Sequence, residues 1–356
     1  MKRVLLVNFA ECPENLHLEQ ALIAAVSRSR GVRLDVLHDQ DFHYSFIPQG
    51  PNERGFRKRF QGGRGEEDLL RAGYDALIAL DFPKRRGCAP FFCRLFAEGA
   101  AVRKYFLANH LVPSPGHNFT ADLFRRARLL SRARITWILE YDDPPLWGEL
   151  GTSPESVIRR PYCVDTGYYT PAPRAARGSY IFSGGSAGRE FAALSAAAAA
   201  CGLPLKVRSD MARPPGPALP GVVWEPFSPN LNTLVETLRG CALTVLPVSD
   251  GFINEAAGNS IAFMAMACGR PVLVRDTPYM RRYIKDGVNG FLYGRLETGV
   301  LAADIGRIMA LSPARLRALC RRARETMLER ASLSTLAASV LSAVKGKAPR
   351  SASAGF

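Results

Sequence analysis

No stretch of this sequence approaches the run of about 18 apolar residues that a membrane-crossing helix needs. The basic-then-apolar start, Met1 to Phe9, is too short for a secretory leader and meets Glu11 where a small-residue cleavage site would stand. Cysteine is sparse and unpaired in pattern. The eight residues (Cys12, Cys88, Cys93, Cys163, Cys201, Cys241, Cys268 and Cys320) include no C-x-x-C spacing of a zinc site. Cys88 and Cys93 are close, yet no matched histidine or cysteine stands near them. All eight are expected to be mostly buried, reduced thiols, which implies a reducing compartment. No helix-turn-helix, zinc-finger or RNP-type aromatic motif occurs, so nucleic acid is not expected as a partner. Histidine is scarce and one-sided: the five residues, His17, His38, His43, His110 and His117, all lie in the first half. An essential histidine must come from there.

What the chain does have is length, apolar content and positive charge. At about 150 residues per domain, 356 residues suggest two domains, and a hydrophobic content of 47% suits a globular chain. Forty-seven Lys and Arg against 32 Asp and Glu leave a net charge of +15. Such a surplus attracts polyanions, an anionic membrane face or a phosphorylated substrate. The densest basic stretch, Arg54 to Phe60 with Arg64 beyond, interleaves phenylalanines that suit a lipid headgroup layer; a solvated loop explains it as well.

Short apolar runs of strand length alternate with helical stretches. Lys2 to Phe9 precedes Leu16 to Ser29, Val32 to Leu37 alternates like a strand, and Tyr74 to Leu80 and Ile135 to Tyr141 continue the rhythm. This alternation predicts parallel sheets covered by helices. A Pro- and Gly-punctuated stretch around Pro171 to Gly178 marks a domain boundary. Beyond it the pattern restarts, with strands at Tyr180 to Phe182, Leu205 to Arg208, Val222 to Glu225, Ala242 to Val248 and Pro271 to Arg275. Ser312-Pro313 caps a long basic helix towards Arg330, and Leu333 to Val344 reads as a last helix.

Two loops carry the pattern of an anion site. Ser183-Gly184-Gly185-Ser186-Ala187-Gly188-Arg189 lies between a strand and a helix. Its glycines admit close backbone approach to a phosphate, the helix start offers free N–H groups, and Arg189 adds a paired-donor cation. It is neither a P-loop nor G-x-G-x-x-G. Glu255-Ala256-Ala257-Gly258-Asn259-Ser260 leads into a second helix start, where Asn259 and Ser260 either serve an anion or cap the helix. Together the loops suggest a diphosphate-bearing ligand. Trp224 and Phe227 border a base or belong to the core.

Three segments resemble the family-four glycosyltransferases. Arg160-Pro161-Tyr162-Cys163-Val164-Asp165-Thr166-Gly167-Tyr168-Tyr169-Thr170-Pro171 is similar to their interdomain signature. Met264-Ala265-Met266-Ala267-Cys268-Gly269-Arg270-Pro271-Val272 is similar to their Glu-Ala-Met-Ala motif. Tyr283 to Leu292 resembles the turn that follows, with its Asp-Gly-x-Asn-Gly. The resemblance covers residues 160–330 and fades in the first half.

The resemblance implies an α/β GT-B fold of two Rossmann-like, doubly wound domains facing a central cleft. It implies an acceptor-binding domain over 1–165, completed by a crossover helix over 333–346, and a nucleotide-sugar domain over 172–332. It implies a retaining, metal-independent hexosyl transfer, with a nucleotide-diphosphate-sugar as donor substrate and no further cofactor. Donor contacts map onto Gly184, Gly185, Ser186, Arg189, Glu255, Gly258, Asn259 and Ser260, and a catalytic histidine onto His110 or His117. The expected acceptor is a glycan, lipid-linked among the options, in cell-surface polysaccharide or lipopolysaccharide synthesis. The expected location is cytoplasmic, peripheral at the inner face of an anionic membrane. The family's second glutamate, which holds the ribose, is Met264 here, Ala256 stands eight residues before it, Cys163 replaces a glycine, and no basic partner for Arg189 is evident. These departures motivate the rival expectation of a non-catalytic nucleotide-sugar-binding protein.

Overall fold

The structure, a computed structural model, describes residues 1–8, 13–38, 69–81, 89–98, 103–108, 135–139, 157–160, 162–173, 178–213, 219–227, 231–252 and 255–346. The chain divides into two units, Met1–Tyr162 with Leu333–Ala354, and Cys163–Ser332. Among the described residues no helix is long and apolar enough to cross a membrane.

In the first unit β1 (Lys2–Asn8), β2 (Val32–His38), β3 (Ala76–Leu80), β4 (Arg103–Ala108), β5 (Ile135–Leu139) and β6 (Val157–Arg159) form one sheet in the order β2-β1-β3-β4-β5-β6. Every pairing is parallel, with Val4 opposite Ala76 and Asn8 opposite Leu80 in the β1–β3 register. Val4 to Asn8 and all of β3 are buried, as expected of parallel strands covered on both faces, and this is why they read as unbroken apolar runs. Helices α1 (Pro13–Ser27) and α2 (Ala89–Glu98) cover the sheet. Phe92 and Phe96 of α2 lie 5.1 Å apart and pack edge-on or tilted against Phe106 of β4 at 6.1 and 6.0 Å. The last helix of the chain, Leu333–Val344, also belongs here. Its buried residues Leu333, Leu336, Ala337, Val340, Ala343 and Val344 recur at helical spacing, and Lys2 Nζ and Tyr105 Oη donate to its final carbonyls at 2.9 and 3.1 Å.

The second unit contains β7 (Ile181–Gly184), α3 (Phe191–Ala200), β8 (Leu205–Arg208), β9 (Val222–Glu225), α4 (Leu231–Gly240), β10 (Leu243–Leu246) and α5 (Asn259–Ala267). Next come β11 (Val272–Arg275), α6 (Pro278–Arg281), β12 (Phe291–Tyr293), α7 (Thr298–Met309) and α8 (Pro313–Arg330), so the helix Leu333–Val344 is α9. Its six parallel strands follow the order β12-β11-β10-β7-β8-β9. The first strand, β7, therefore lies between β8 and β10, and the chain winds away from it in both directions. That junction is the topological switch point, where open α/β sheets take ligands beyond the carboxyl ends of their strands.

The expected strand at 242–248 is shorter, because Pro247 ends the ladder. Between β11 and Ser312, where no element was expected, α6, β12 and α7 form. Ser312 does cap α8, accepting from Arg315 N at 3.3 Å with Pro313 in the first turn. The cysteine expectation needs correction: none of the six described thiols forms a disulfide, but only Cys241 and Cys268 are buried and the others are half-buried. Burial pushes those two thiols up to about 11 and about 12, which keeps them unreactive. Cys12 and Cys88 lie outside the described residues.

Of the three motifs that resemble the glycosyltransferases, the first and third are turns built on side-chain hydrogen bonds, and the second is the end of α5 leading into β11. Asp165 Oδ1 accepts from Gly167 N and Tyr168 N at 2.9 and 3.0 Å. Asn289 accepts from Lys285 N at 2.7 Å and donates to Tyr283 O and Thr326 Oγ1, both at 2.9 Å. Arg324 of α8 gathers this region, donating to Thr166 O, Tyr169 O and Ala267 O at 2.6–2.8 Å. Arg324→Met keeps the buried stem and orphans three carbonyls. At roughly 1 kcal/mol or more for each unsatisfied group, it should lower unfolding stability by about 2–3 kcal/mol in urea titration; an unchanged midpoint would refute this role.

Candidate functional site

The two glycine loops leave the carboxyl ends of β7 and β10, the strands that flank the switch point. They are stitched together by backbone. Glu190 N donates to Pro247 O and Ser249 N to Gly188 O, both at 2.8 Å, and Arg189 bridges Val248. Their glycines also meet at one guanidinium. A Cβ on Gly185 would stand 2.9 Å from Arg189 Nη2, and one on Gly258 would stand 3.1 Å from the same nitrogen. Both glycines are left-handed, at φ +95° and +91°, so this approach needs glycine for conformation as well as for space.

Arg189 is only 6% exposed. Its Nε donates to Gly184 O at 3.2 Å and its Nη1 to Ala187 O at 2.7 Å, which fixes the plane of the fork. No carboxylate among the described residues pairs with it. Burial lowers the guanidinium to about 10, opposed only by Tyr293, and it remains cationic at neutral pH. A desolvated cation with no counter-charge among the described residues, set under two glycine turns, favours an incoming anion.

The second loop offers a helix start in the open state. Gly258 is the N-cap of α5 and makes no side-chain capping bond. The Asn259 side chain turns inward and donates to Tyr279 Oη at 3.2 Å, so the capping alternative for Asn259 is not what this residue does. Asn259 N already donates to Ala256 O at 3.0 Å and the helical ladder begins with Ala262 N to Gly258 O at 3.0 Å, which leaves the amides of Ser260 and Ile261 without a partner inside the helix. Glu255 contributes its carbonyl, which accepts from Thr277 Oγ1 at 2.9 Å. Ser186 is exposed and its Oγ lies 3.2 Å from that of Ser209, at the end of β8.

Several residues that hold this site were not singled out in the sequence. Arg275, the last residue of β11, donates to Ser249 O, Phe252 O and Asp250 O at 2.5–3.0 Å and so shapes the loop after β10. The Phe252 ring covers Gly188, where a Cβ would come within 2.5 Å of it. Tyr293 Oη accepts from Val248 N at 2.8 Å and donates to Leu246 O at 2.9 Å. Only strand order brings these residues together, and no local motif signals them. Arg208 is spoken for: it pairs with Glu225 at 2.8 Å and Thr233 at 3.2 Å.

Trp224 packs edge-on against Phe191 at 5.0 Å and belongs to the core, whereas Phe227 is 39% exposed. Met264 and Ala256, at the positions of the family's two glutamates, are both buried. His110, His117 and the basic stretch Arg54 to Arg64 lie outside the described residues.

No family model matches the sequence, and no curated protein matches it either. Solved structures do match over nearly the whole chain. A glycosyltransferase from Rickettsia africae ESF-5 is 11% identical with a TM-score of 0.65, covering 97% of this chain and 98% of its own. Anabaena HepE in complex with UDP and glucose is 15% identical with a TM-score of 0.60, covering 97% and 100%. Sucrose-phosphate synthase from Thermosynechococcus elongatus is 14% identical with a TM-score of 0.61, covering 97% and 99%. The chain thus has the GT-B fold of two parallel-sheet, Rossmann-like domains, the fold of these glycosyltransferases.

Proposed function

We propose that this chain is a glycosyltransferase that moves a hexosyl group from a nucleotide-diphosphate-sugar to a glycan acceptor. The observation that carries the reading is the buried Arg189 guanidinium, paired with no carboxylate among the described residues, under Gly185 and Gly258 at the switch point of the second sheet. In the transfer, the bond between the sugar's anomeric carbon and the diphosphate oxygen breaks as an acceptor hydroxyl bonds to that carbon. The hydroxyl proton is released, and the leaving nucleoside diphosphate gains negative charge. Arg189, with the loops of Gly184, Gly185 and Ser186 and of Gly258, Asn259 and Ser260, stabilises that charge where it develops; the amides of Gly185 and Asn259 are already bound to Arg208 O and Ala256 O, so Ser186 and Ser260 are the amides this reading uses. The reaction therefore draws its charge stabilisation from the chain itself, in keeping with the metal-independent, retaining chemistry that the resemblance implies. The crystallised complex of HepE with UDP and glucose supports UDP as the first nucleotide to try. The resemblance assigns Glu255 to the nucleotide and His110 or His117 to the sugar.

The pathway reading is cell-surface polysaccharide or lipopolysaccharide synthesis, with a lipid-linked acceptor at the inner membrane face. The exposed arginines 315, 317, 321, 322 and 330 of α8, against Glu325 and Glu329, support an anionic surface as partner. A second reading, nucleotide-sugar binding without transfer, is favoured by Met264: a buried thioether takes the place of a ribose-binding carboxylate.

Calorimetry and thermal shift against UDP, GDP, ADP, CMP and dTDP test both readings. One diphosphate should bind and raise the melting temperature, and its sugar conjugate should be slowly hydrolysed. Binding without hydrolysis or transfer would select the second reading, and no binding by any nucleotide would remove both.

A further inference from the structure

Helix α9 carries no charged residue from Leu333 to Val344, and α1 carries none from Ala21 to Ser27. A helix at the surface ordinarily turns charge to the solvent. Here the charge gathers at one end instead. Both helices finish at the amino end of β1, where Lys2 N donates to Gly31 O at 2.8 Å and Lys2 Nζ to Val344 O at 2.9 Å. Arg28 and Lys345 stand just past the two helix ends. Arg28 is exposed and Lys345 is half-buried, its Nζ donating to Ser29 Oγ. No carboxylate among the described residues pairs with either. The two acids of this edge are engaged elsewhere: Asp35 pairs with Arg3 and Arg33 at 3.6 and 3.5 Å, and Asp75 accepts from Arg3 N at 2.7 Å.

An open groove of about 320 Å³ runs between α1 and α9, within the roughly 300–1,000 Å³ of ligand pockets. Arg28 and Lys345 line one end of it and Ser334 the other. At 1.5 Å per residue, about 16 Å of helix separates Ser334 from Lys345. Between them lie Ala25, Ala338 and Leu341, with the Ser342 hydroxyl at the rim. Alanine on both facing helices leaves this gap, because larger side chains there would interdigitate and close it. The groove is thus long, narrow and apolar, with two cations at one end. A compact anion would leave the apolar length uncovered, and a neutral chain would leave both cations unused. The matching ligand has an extended apolar chain and one anionic head.

We propose that the α1–α9 groove binds a single-chain anionic amphiphile, its head on Arg28 and Lys345 and its chain along Ala25, Ala338 and Leu341. The groove's basic end lies at the amino end of β1, whereas open α/β sheets take their substrates beyond the carboxyl ends. The ligand is therefore not the acceptor sugar, and the proposal does not rest on the transfer reading.

The test is calorimetry on the full chain with dodecyl phosphate below its micelle concentration. It should bind one to one, and excess UDP should not displace it. Arg28→Gln should weaken it by about tenfold. Ala338→Leu fills the groove with apolar atoms, and should weaken it at least about tenfold while leaving the melting temperature unchanged or raised. Arg30→Gln removes an exposed arginine outside the groove and should bind as wild type does. Inorganic phosphate and a dodecyl polyoxyethylene ether, which each supply half of the ligand, should bind on the order of tenfold more weakly or less. Failure of dodecyl phosphate to bind wild type, its displacement by UDP, or unchanged binding in both groove variants overturns the proposal. So does an equal loss in Arg30→Gln, or binding to phosphatidylglycerol vesicles without binding of the monomer, which would make this face a membrane contact. Absence of UDP binding in wild type with dodecyl phosphate binding intact would count against the donor reading alone.

Discussion

Arg189→Ala should weaken UDP binding by on the order of a hundredfold while leaving the unliganded protein folded. Hydrogen bonds to charged groups contribute roughly 1.5–3 kcal/mol, and here the cation is already desolvated, oriented and without a carboxylate partner among the described residues. The substitution removes two bonds to the carbonyls of Gly184 and Ala187, yet it also removes the penalty of holding a buried cation, so the two effects on stability oppose each other. The sign of that penalty can be checked by pH. The folded-state value lies below the ordinary 12.5 of arginine, at about 10. The unfolded state therefore holds more protons between those values, and this residue's contribution to stability rises with pH there. Near neutrality it contributes no pH dependence. Arg189→Lys should recover part of the affinity, because it restores the charge but not the fork that bonds Gly184 and Ala187. Calorimetry with UDP measures all three proteins. Equal dissociation constants for wild type and Arg189→Ala would remove Arg189 from the site and with it the main support for the transfer reading.

The fold class was legible because both sheets are parallel and their central strands are buried, so the middle of β1, all of β3 and most of β10 show as short apolar runs. The region from Asp276 to Leu311 was not. Its α6 and β12 are four and three residues long, too short for any period to show. They are set by caps and turns such as Thr277 accepting from Met280 N and Asp286 accepting from Leu292 N. For the site, the glycines and Arg189 were legible as two separate loops. Their convergence was not, because it depends on β7 and β10 becoming neighbours, a fact of strand order that no window of sequence contains. The same reason hid Arg275 and Phe252, which act on loops from other strands. Asn259 shows the opposite limit: its residue type fits a helix cap, but packing turns its amide towards Tyr279. Asn8 stands at the end of β1, and no sequence pattern shows that its Nδ2 is matched by Glu19 while its Oδ1 is not.

Gly178→Ala should be the most damaging single methyl in the second unit, lowering its stability by about 3 kcal/mol. The cost is space, not conformation. A Cβ at Gly178 would stand 2.0 Å from the carbonyl carbon of Cys241, 2.1 Å from its oxygen and 2.3 Å from Ala242 N. These are main-chain atoms, and they have little freedom to yield. Ala242 N donates to Tyr180 O at 2.7 Å, and Leu243 and Thr244 pair at once with Ile181 and Phe182. Relief of the clash therefore requires β10 to move against β7, which opens the junction that carries both glycine loops. Two consequences follow: the urea midpoint should fall, and the molecules that remain folded should bind UDP more weakly, although Gly178 touches no part of the site. Gly299→Ala is the matched control. Nothing lies within 4 Å of its added methyl, and it sits in the first turn of α7, where alanine stabilises by up to about 1 kcal/mol. Coincident urea midpoints for the two variants would refute the claim that the β7–β10 junction is too tightly packed to shift. A lowered midpoint with unchanged UDP affinity would show that the junction can shift without disturbing Arg189.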